Sequence, residues 1–265
     1  MTQLINNTKI RDFLTTTNKQ FCFVSISGAH LYGFDSVDSD LDLRGCHIPS
    51  QKELLRYSTT KDTYEQMLIE SEYYSNELDI VSHSLLKYLH LLCKQPNGYI
   101  LEQIFSPLNV VTSSIHEELK ELSRLTICKE MKFHYGGFLR NQRHLMNKET
   151  NKEIKLVLYQ LRIMASALYL AKTGKINANL LEVNTEIGLY DQEELAHLVA
   201  LKTKLEKSNF QDQKQKEYWL ETINQTIPKI DEAFDTSSLP NWDAKLIKDK
   251  SNAIIEKYLT INWSR

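Results

Sequence analysis

The sequence predicts an α+β (mixed α/β) fold, in which a small sheet-and-helix domain is followed by a helical domain. Short apolar or alternating segments fall in the first part of the chain, whereas helical periodicity dominates beyond residue 112. A hydrophobic content of 42% and a charged content of 25% are typical of a globular chain that can form a sizeable core. We therefore predict two domains, over residues 1–112 and 113–265.

The predicted sheet domain contains three strands. Residues 21–26 form an apolar, partly β-branched run, which is typical of a buried strand. Residues 40–48 and 77–83 alternate polar and apolar side chains, which is the period-two pattern of a half-buried strand. Helices are predicted in this domain over 8–20, 84–93 and 99–105.

The second domain is predicted to be helical because its apolar residues recur three and four positions apart. The predicted helices span 115–147, 152–173, 191–207, 212–234 and 243–259. Breaks are expected at Gly174, Gly188, Pro228 and Pro240. The pair Gly136 and Gly137 lowers helix stability and indicates a bend or a close packing contact.

The composition excludes several classes of protein. A formal charge of −2 excludes nucleic-acid binding by bulk charge, but it leaves room for a local basic patch. The 4 cysteines are far apart and lack metal-ligand spacing, which argues against a disulfide framework or a zinc module. The start of the chain lacks an apolar leader, and no run approaches the roughly 18 apolar residues of a membrane span. We expect a cytoplasmic protein without a membrane partner.

The most informative segment begins where the first predicted strand enters a glycine turn. Ser27, Gly28 and Ala29 follow this strand, and Gly33 and Gly45 lie close behind in a chain with only 8 glycines. Such a turn exposes backbone N–H groups, and a helix start adds a partial positive charge. The pattern suits phosphate oxygens, although a strand followed by a glycine is more often only a turn.

A pair of carboxylates follows on the second predicted strand. Asp40 and Asp42 are two positions apart, so their side chains leave the same face and can reach one hard cation. Unpaired carboxylates repel each other, so the pair favours a divalent metal, of which magnesium leaves room for substrate phosphates. A phosphatase that uses this pair fits less well, because apolar strand residues follow it and the glycine turn is left unexplained.

Taken together, residues 28–33 and 38–45 resemble the signature of the polymerase-β-like nucleotidyltransferase superfamily. More narrowly, they resemble its RNA-repair-pathway (RlaP-type) group. The resemblance is strong over residues 23–107 and weaker over 131–190. One departure is Ala29, which stands where the family usually has a serine. A hydroxyl contact to phosphate is therefore missing, although the backbone amide and the adjacent Ser27 remain.

The resemblance implies a metal-dependent enzyme. In such proteins the turn holds a nucleoside triphosphate, and the carboxylates hold two Mg²⁺ ions, with Mn²⁺ as an alternative. A third carboxylate on a later strand usually completes the site, and the matching position is Asp79, with Glu77 as the fallback. The implied reaction moves a nucleoside monophosphate onto an acceptor hydroxyl and releases pyrophosphate.

The implied acceptor is the 3′ end of an RNA or tRNA. Residues 129–162 favour it, because they carry eight Lys or Arg residues against three Glu residues. Within this segment Lys155, Tyr159 and Arg162 form one stripe of an otherwise apolar helix. We predict that the two cations contact the triphosphate and that Tyr159 lies near the base or ribose. A solvated helix face is the simpler alternative for most of these charges.

Other functions remain open at this point. A protein acceptor would make the chain an AMP-transferring or toxin-like enzyme, and a non-catalytic nucleotide- or RNA-binding module could keep the same fold. His30, His47 and His83 flank the site, but a lone histidine near strands is more often a core residue. The nucleotide that is used, the acceptor and the oligomeric state do not follow from the sequence.

Overall fold

A computed structural model describes residues 5–55, 62–146, 148, 151–204 and 208–260. It contains a mixed five-stranded sheet and many helices, which confirms the predicted α+β fold. The strands are β1 (Gln20–Ile26), β2 (Leu41–Ile48), β3 (Thr63–Ile69), β4 (Glu77–Ser84) and β5 (Asn109–Val111). The first helices are α1 (Asn7–Thr16), α2 (Gly28–Tyr32), α3 (Gln51–Leu55), α4 (Leu85–Lys94), α5 (Gly98–Ile104) and α6 (Ser114–Arg124). The later helices are α7 (Met131–Met146), α8 (Glu153–Thr173), α9 (Leu180–Ile187), α10 (Gln192–Lys204), α11 (Gln213–Thr236) and α12 (Ala244–Ile255). Helix α12 continues into a π-helical turn, Glu256–Thr260.

The sheet has the strand order β3-β4-β2-β1-β5, with β2 at its centre. Strand β2 pairs antiparallel with β1 and parallel with β4, while β3 and β5 are the antiparallel edges. Alternation along β2 and β4 places one set of their side chains in a buried apolar cluster with residues of α1. Asp42 and Arg44 of β2 therefore share the opposite face of the sheet.

Contacts divide the chain into two units, neither of which is continuous in sequence. The sheet unit consists of the described residues within 4–28, 40–126 and 242–265, and the helical unit of those within 29–39 and 127–241. The boundaries of these units differ from the predicted division at residue 112. The prediction divided the chain into two continuous stretches, whereas each unit combines segments that are separate in the sequence. Residues 29–39, which connect the glycine turn to Asp40, group with the helices.

The helical unit is built around α8, most of whose residues are buried. This helix is long and apolar enough to cross a membrane, but 83% of its most apolar window is buried inside the structure, as expected of a core helix. It ends at Thr173 and is capped by Gly174, whose φ of +69° gives the left-handed conformation common after a helix.

Several predicted boundaries were wrong. The helix predicted over 115–147 is interrupted between α6 and α7, and its last residue, 147, lies outside the described residues. Helix α11 continues through Pro228, where a break was expected. The ends of the helices predicted over 191–207 and 243–259 also differ from α10 and α12, and residues 205–207 are not described. Helices α3 and α9 and strands β3 and β5 were not predicted, because they are short or, like β3, half exposed at a sheet edge.

Candidate functional site

The glycine turn lies directly against one of the predicted metal-binding carboxylates. Gly28 has a φ of +63°, and a Cβ placed on it would lie 2.0 Å from Oδ2 of Asp42. The backbone N–H of Ser27 donates a hydrogen bond of 2.8 Å to the carbonyl oxygen of Asp42. Both the backbone conformation and the close approach therefore require glycine at position 28. Ala29, the next residue, is buried in the helical unit.

Asp42 and Asp79 lie side by side in the sheet. Strands β2 and β4 run parallel, and their register pairs Asp42 directly with Asp79. Their side chains are 29% and 24% exposed, so each is partly buried and still accessible. Glu77, the fallback for the third carboxylate, lies at the start of β4 and pairs with Ile69 of β3. The register therefore favours Asp79 as the partner of Asp42.

A guanidinium group bridges these two carboxylates. Nη2 of Arg44 lies 2.6 Å from Oδ1 of Asp42, and Nη1 lies 3.0 Å from Oδ2 of Asp79. Nε donates a hydrogen bond of 2.9 Å to the hydroxyl of Tyr99, and Nη1 also donates to the backbone carbonyl oxygens of Leu43 and Asp79. Burial by itself would lower the pKa of Arg44, but Tyr99 and the two carboxylates raise it. Arg44 lies within the sequence motif of residues 38–45, but no role was predicted for it.

The donor set fits a hard divalent cation only in part. Asp42 and Asp79 offer carboxylate oxygens from neighbouring strands, which are the ligands that Mg²⁺ prefers. Asp40 precedes β2 and is exposed. Within the described part of the chain, no three His, Cys, Asp or Glu side chains converge closely enough to hold a metal. The structure thus brings two of the three predicted ligands together, with a cation of the protein between them.

In the helical unit, the segment 29–39 is held by a buried lysine. Lys202 of α10 has no exposed surface, and its Nζ donates hydrogen bonds of 3.0 and 3.2 Å to the hydroxyls of Ser36 and Ser39. Asp35 lies 3.5 Å from Nδ1 of His30. Burial opposes ionisation of Asp35, yet His30 and Lys202 outweigh it and lower the pKa of this carboxyl group. These polar contacts fix the loop that precedes Asp40 along the chain.

Sequence reasoning missed Lys202, although the sequence carries a signal for it. Lys202 follows the buried residues Leu195, Leu198 and Val199 at helical spacing, on the apolar stripe of α10. A lysine at such a position is rarely fully buried without polar partners. The position of Lys202 on this stripe therefore indicates a buried polar contact. It does not indicate the partners, Ser36 and Ser39, because they lie more than 160 positions away in the sequence.

The predicted stripe on α8 faces the same segment of the helical unit. The ring of Tyr159 makes edge contacts with Tyr32 and Phe34, and the Lys155 ammonium lies 5.8 Å from the Tyr159 ring centre. Arg162 is fully buried, with its guanidinium carbon 3.9 Å from the ring centre of Tyr32. Arg162 therefore packs the segment in this structure, whereas Lys155 and Tyr159 retain exposed surface.

Of the histidines on the sheet, His47 is a core residue and His83 is half-buried. His47 is 1% exposed, and its Nδ1 is 2.9 Å from the hydroxyl of Ser82. Burial lowers the pKa of His47 to about 4, and burial with the nearby Lys87 lowers that of His83 to about 4. Both are neutral near pH 7, so neither supplies a cation to the site.

This burial predicts a loss of stability in mild acid. At His47 the unfolded chain binds a proton near pH 6.5, whereas the folded chain binds it only near pH 4, so stability falls as the pH drops through this window. At about pH 5 the loss from His47 should be about 2 kcal/mol relative to about pH 8. Urea unfolding at both pH values measures it, and in a His47→Gln variant the difference should shrink by this amount. An unchanged difference would show that His47 does not titrate this way.

A basic surface lies on α7 of the helical unit. Arg140 and Arg143 are exposed, and Phe133 on the same helix is 68% exposed. These residues line a groove of about 440 Å³ between α7 and α11. The groove also contains acidic residues, and Lys132 pairs with Asp235 at 2.5 Å. An ideal Cβ on Gly136 or Gly137 would lie 3.5–3.7 Å from the Arg140 guanidinium, which is an ordinary contact distance. Both glycines lie inside α7, so the pair does not end this helix, and close packing does not account for it. Glu149 of the predicted basic segment lies outside the described residues.

Comparison with known proteins agrees with the fold. The model of the RNA repair pathway DNA polymerase beta family matches residues 3–253. An uncharacterized protein of Methanocaldococcus jannaschii is 27% identical over 236 residues, which cover 89% of this chain and 93% of the relative. The polymerase-β-like character of the family supports nucleotidyl transfer at the level of the family. The chain therefore belongs to the RNA repair pathway DNA polymerase beta family, RlaP.

Proposed function

We propose that this protein transfers a nucleoside monophosphate from a nucleoside triphosphate to an acceptor hydroxyl, with release of pyrophosphate. The observation that carries the proposal is the meeting of three features in the sheet unit. The Gly28 turn contacts the Asp42 carboxylate, and Asp42 lies beside Asp79 on parallel strands. A glycine turn of the kind that suits phosphate and two carboxylates of the kind that suit a divalent metal thus lie close together, which supports the proposal.

The proposed roles follow from the chemistry of the side chains. The backbone amides of Gly28 and Ala29 would bind the triphosphate, whereas the amide of Ser27 holds the turn through its hydrogen bond to Asp42. Asp40, Asp42 and Asp79 would hold Mg²⁺ or Mn²⁺. The bound metal would neutralise phosphate charge and lower the pKa of the attacking hydroxyl. The carboxylates would position the acceptor and the α-phosphate for attack, so catalysis would consist mainly of orientation and charge compensation.

Within the helical unit, two half-buried residues of α8 are proposed to contact a nucleotide. Lys155 offers a cation, and Tyr159 offers an aromatic face, and both lie on the stripe that contacts Tyr32 and Phe34. We do not extend this role to Arg162, because a side chain without exposed surface has no face for a phosphate.

The proposal is tested by incubating the purified full chain with Mg²⁺ and each α-labelled nucleoside triphosphate in turn. Total RNA, purified tRNA and a lysate serve as acceptors. Label in an RNA band supports an RNA 3′-end transferase, whereas label in a protein band moves the acceptor to a polypeptide. If no acceptor is labelled while calorimetry detects triphosphate binding, the transferase proposal fails in favour of a binding module.

The α7 surface supports RNA as the acceptor. Exposed arginines bind phosphates, and an exposed aromatic ring can stack on an unpaired base. We expect Arg140→Glu and Phe133→Ala each to weaken binding of a single-stranded RNA by about tenfold in low salt. Lys248→Glu, which makes the same charge change as Arg140→Glu at an exposed position of α12, is the control and should bind normally. Equal loss in this control would assign the effect to net charge and remove α7 as the acceptor surface.

A further inference from the structure

Arg44 occupies the position between Asp42 and Asp79 that a divalent metal would take under the proposed function. Its two terminal nitrogens each pair with one carboxylate, at 2.6 and 3.0 Å. The side chain is 13% exposed, so these ion pairs are screened less by solvent than surface pairs are. A metal ion and this guanidinium would compete for the same carboxylate oxygens, and their positive charges would repel each other.

The arginine is held in this position by more than the carboxylates. The Tyr99 hydroxyl accepts a hydrogen bond from Nε, and the carbonyl oxygens of Leu43 and Asp79 accept from Nη1. The planar fork of an arginine can satisfy several acceptors at once, which a lysine ammonium does less well. This arrangement keeps two neighbouring carboxylates compensated in a protein without bound metal.

We propose that Arg44 is an internal counter-cation of the candidate metal site, which pairs Asp42 with Asp79 before the metal binds and which the metal must displace. This inference rests on the proposed function, because it takes these two carboxylates as metal ligands. Arg44 is therefore a positioning residue that sets the metal affinity of the site. Displacement would release its terminal nitrogens from the carboxylates, while the Nε contact with Tyr99 can persist.

The test is the affinity of the full chain for Mn²⁺, measured by calorimetry at neutral pH without nucleotide. The variant Arg44→Met keeps much of the apolar side chain and removes the cation. We expect it to bind Mn²⁺ about tenfold more tightly than the wild type, because the metal no longer displaces an ion pair. Its metal-free form should also melt at a lower temperature, since two carboxylates are left uncompensated, and Mn²⁺ should raise that temperature more than in the wild type.

Arg11→Met is the matched control. Arg11 lies in the same unit and donates to the carbonyl oxygen of Val110, far from the carboxylates in sequence. Its replacement makes the same change in net charge and should leave the Mn²⁺ affinity unchanged. Should Arg44→Met fail to fold, Arg44→Lys keeps one positive charge without the fork and is expected to bind Mn²⁺ more tightly than the wild type by a smaller factor.

The outcomes separate this inference from the proposed function. If the wild type binds Mn²⁺ and the Arg44 variants bind it equally or more weakly, Arg44 is not a competitor and the inference is overturned, while the metal site stands. If neither the wild type nor any variant binds Mn²⁺, the metal site itself is refuted, and the inference is refuted with it. Tighter binding in the variants supports the inference even if no acceptor has been identified, because a purely structural arginine would not limit metal affinity.

Discussion

Replacing Asp42 by asparagine is expected to reduce nucleotidyl transfer by about a thousandfold or more. The amide keeps the size of the side chain but loses the charge and one metal-binding oxygen. The fold should survive, because Asp42 is only partly buried and Arg44 keeps its contacts with Asp79 and Tyr99. Initial rates of labelled transfer, together with the melting temperature, measure both effects.

Asp79→Asn and Glu77→Gln extend this experiment to the third carboxylate. Because the strand register pairs Asp79 with Asp42, we expect Asp79→Asn to reduce transfer to a similar extent. Glu77 lies outside the ladder between β2 and β4, which begins at the pair Leu41 and Leu78, so Glu77→Gln is the matched control and should retain most of the activity. The opposite result, loss in Glu77→Gln and retention in Asp79→Asn, would assign the third ligand to Glu77.

Much of the candidate site could be predicted because its parts are local in sequence. The spacing of Asp40 and Asp42 predicts a shared face, and the glycine turn shortly precedes them in the sequence. Asp79 could be proposed from its position between apolar residues of a predicted strand. Its pairing with Asp42 depends on a parallel register between distant strands, which one sequence does not specify.

Other features depend on contacts between distant parts of the chain, so they could not be predicted from local patterns. Arg44 shares the face of Asp42 by simple alternation, but its second carboxylate comes from β4 and its third partner, Tyr99, from α5. The assignment of residues 29–39 to the helical unit rests on Lys202 and on α8. Helical periodicity identified both helices and contained no information about which segment they would hold.

Pro228 shows where a local rule fails for a physical reason. A proline inside a helix removes one N–H donor and usually kinks or ends the helix, so a break was the natural expectation. Helix α11 nevertheless continues from Gln213 to Thr236, with Trp219, Ile223, Ile230 and Phe234 buried along it. Burial of an apolar face on both sides of the proline can offset the loss of one helical hydrogen bond.

A second large effect is expected for Gly28→Ala. The new Cβ would lie 2.0 Å from Oδ2 of Asp42, well inside any allowed contact, so the carboxylate must move away from its present position. A displacement of about 1 Å in a reacting group can cost about a hundredfold in rate, and we expect a loss of transfer of this size. The variant should also lose about 1–2 kcal/mol of stability, because alanine is strained at a φ of +63°.

Gly188→Ala separates the strain from the displaced carboxylate. Gly188 has a φ of +62°, nearly the same as Gly28, but no atom lies within 4 Å of a Cβ placed on it. The two variants should therefore show a similar strain cost in urea unfolding, while only Gly28→Ala loses transfer and Mn²⁺ affinity. Equal transfer rates in the two variants would mean that the position of the Asp42 carboxylate does not limit the reaction. Loss of transfer in Gly28→Ala alone would tie the glycine turn to the chemistry through Asp42, because backbone strain is common to both proteins.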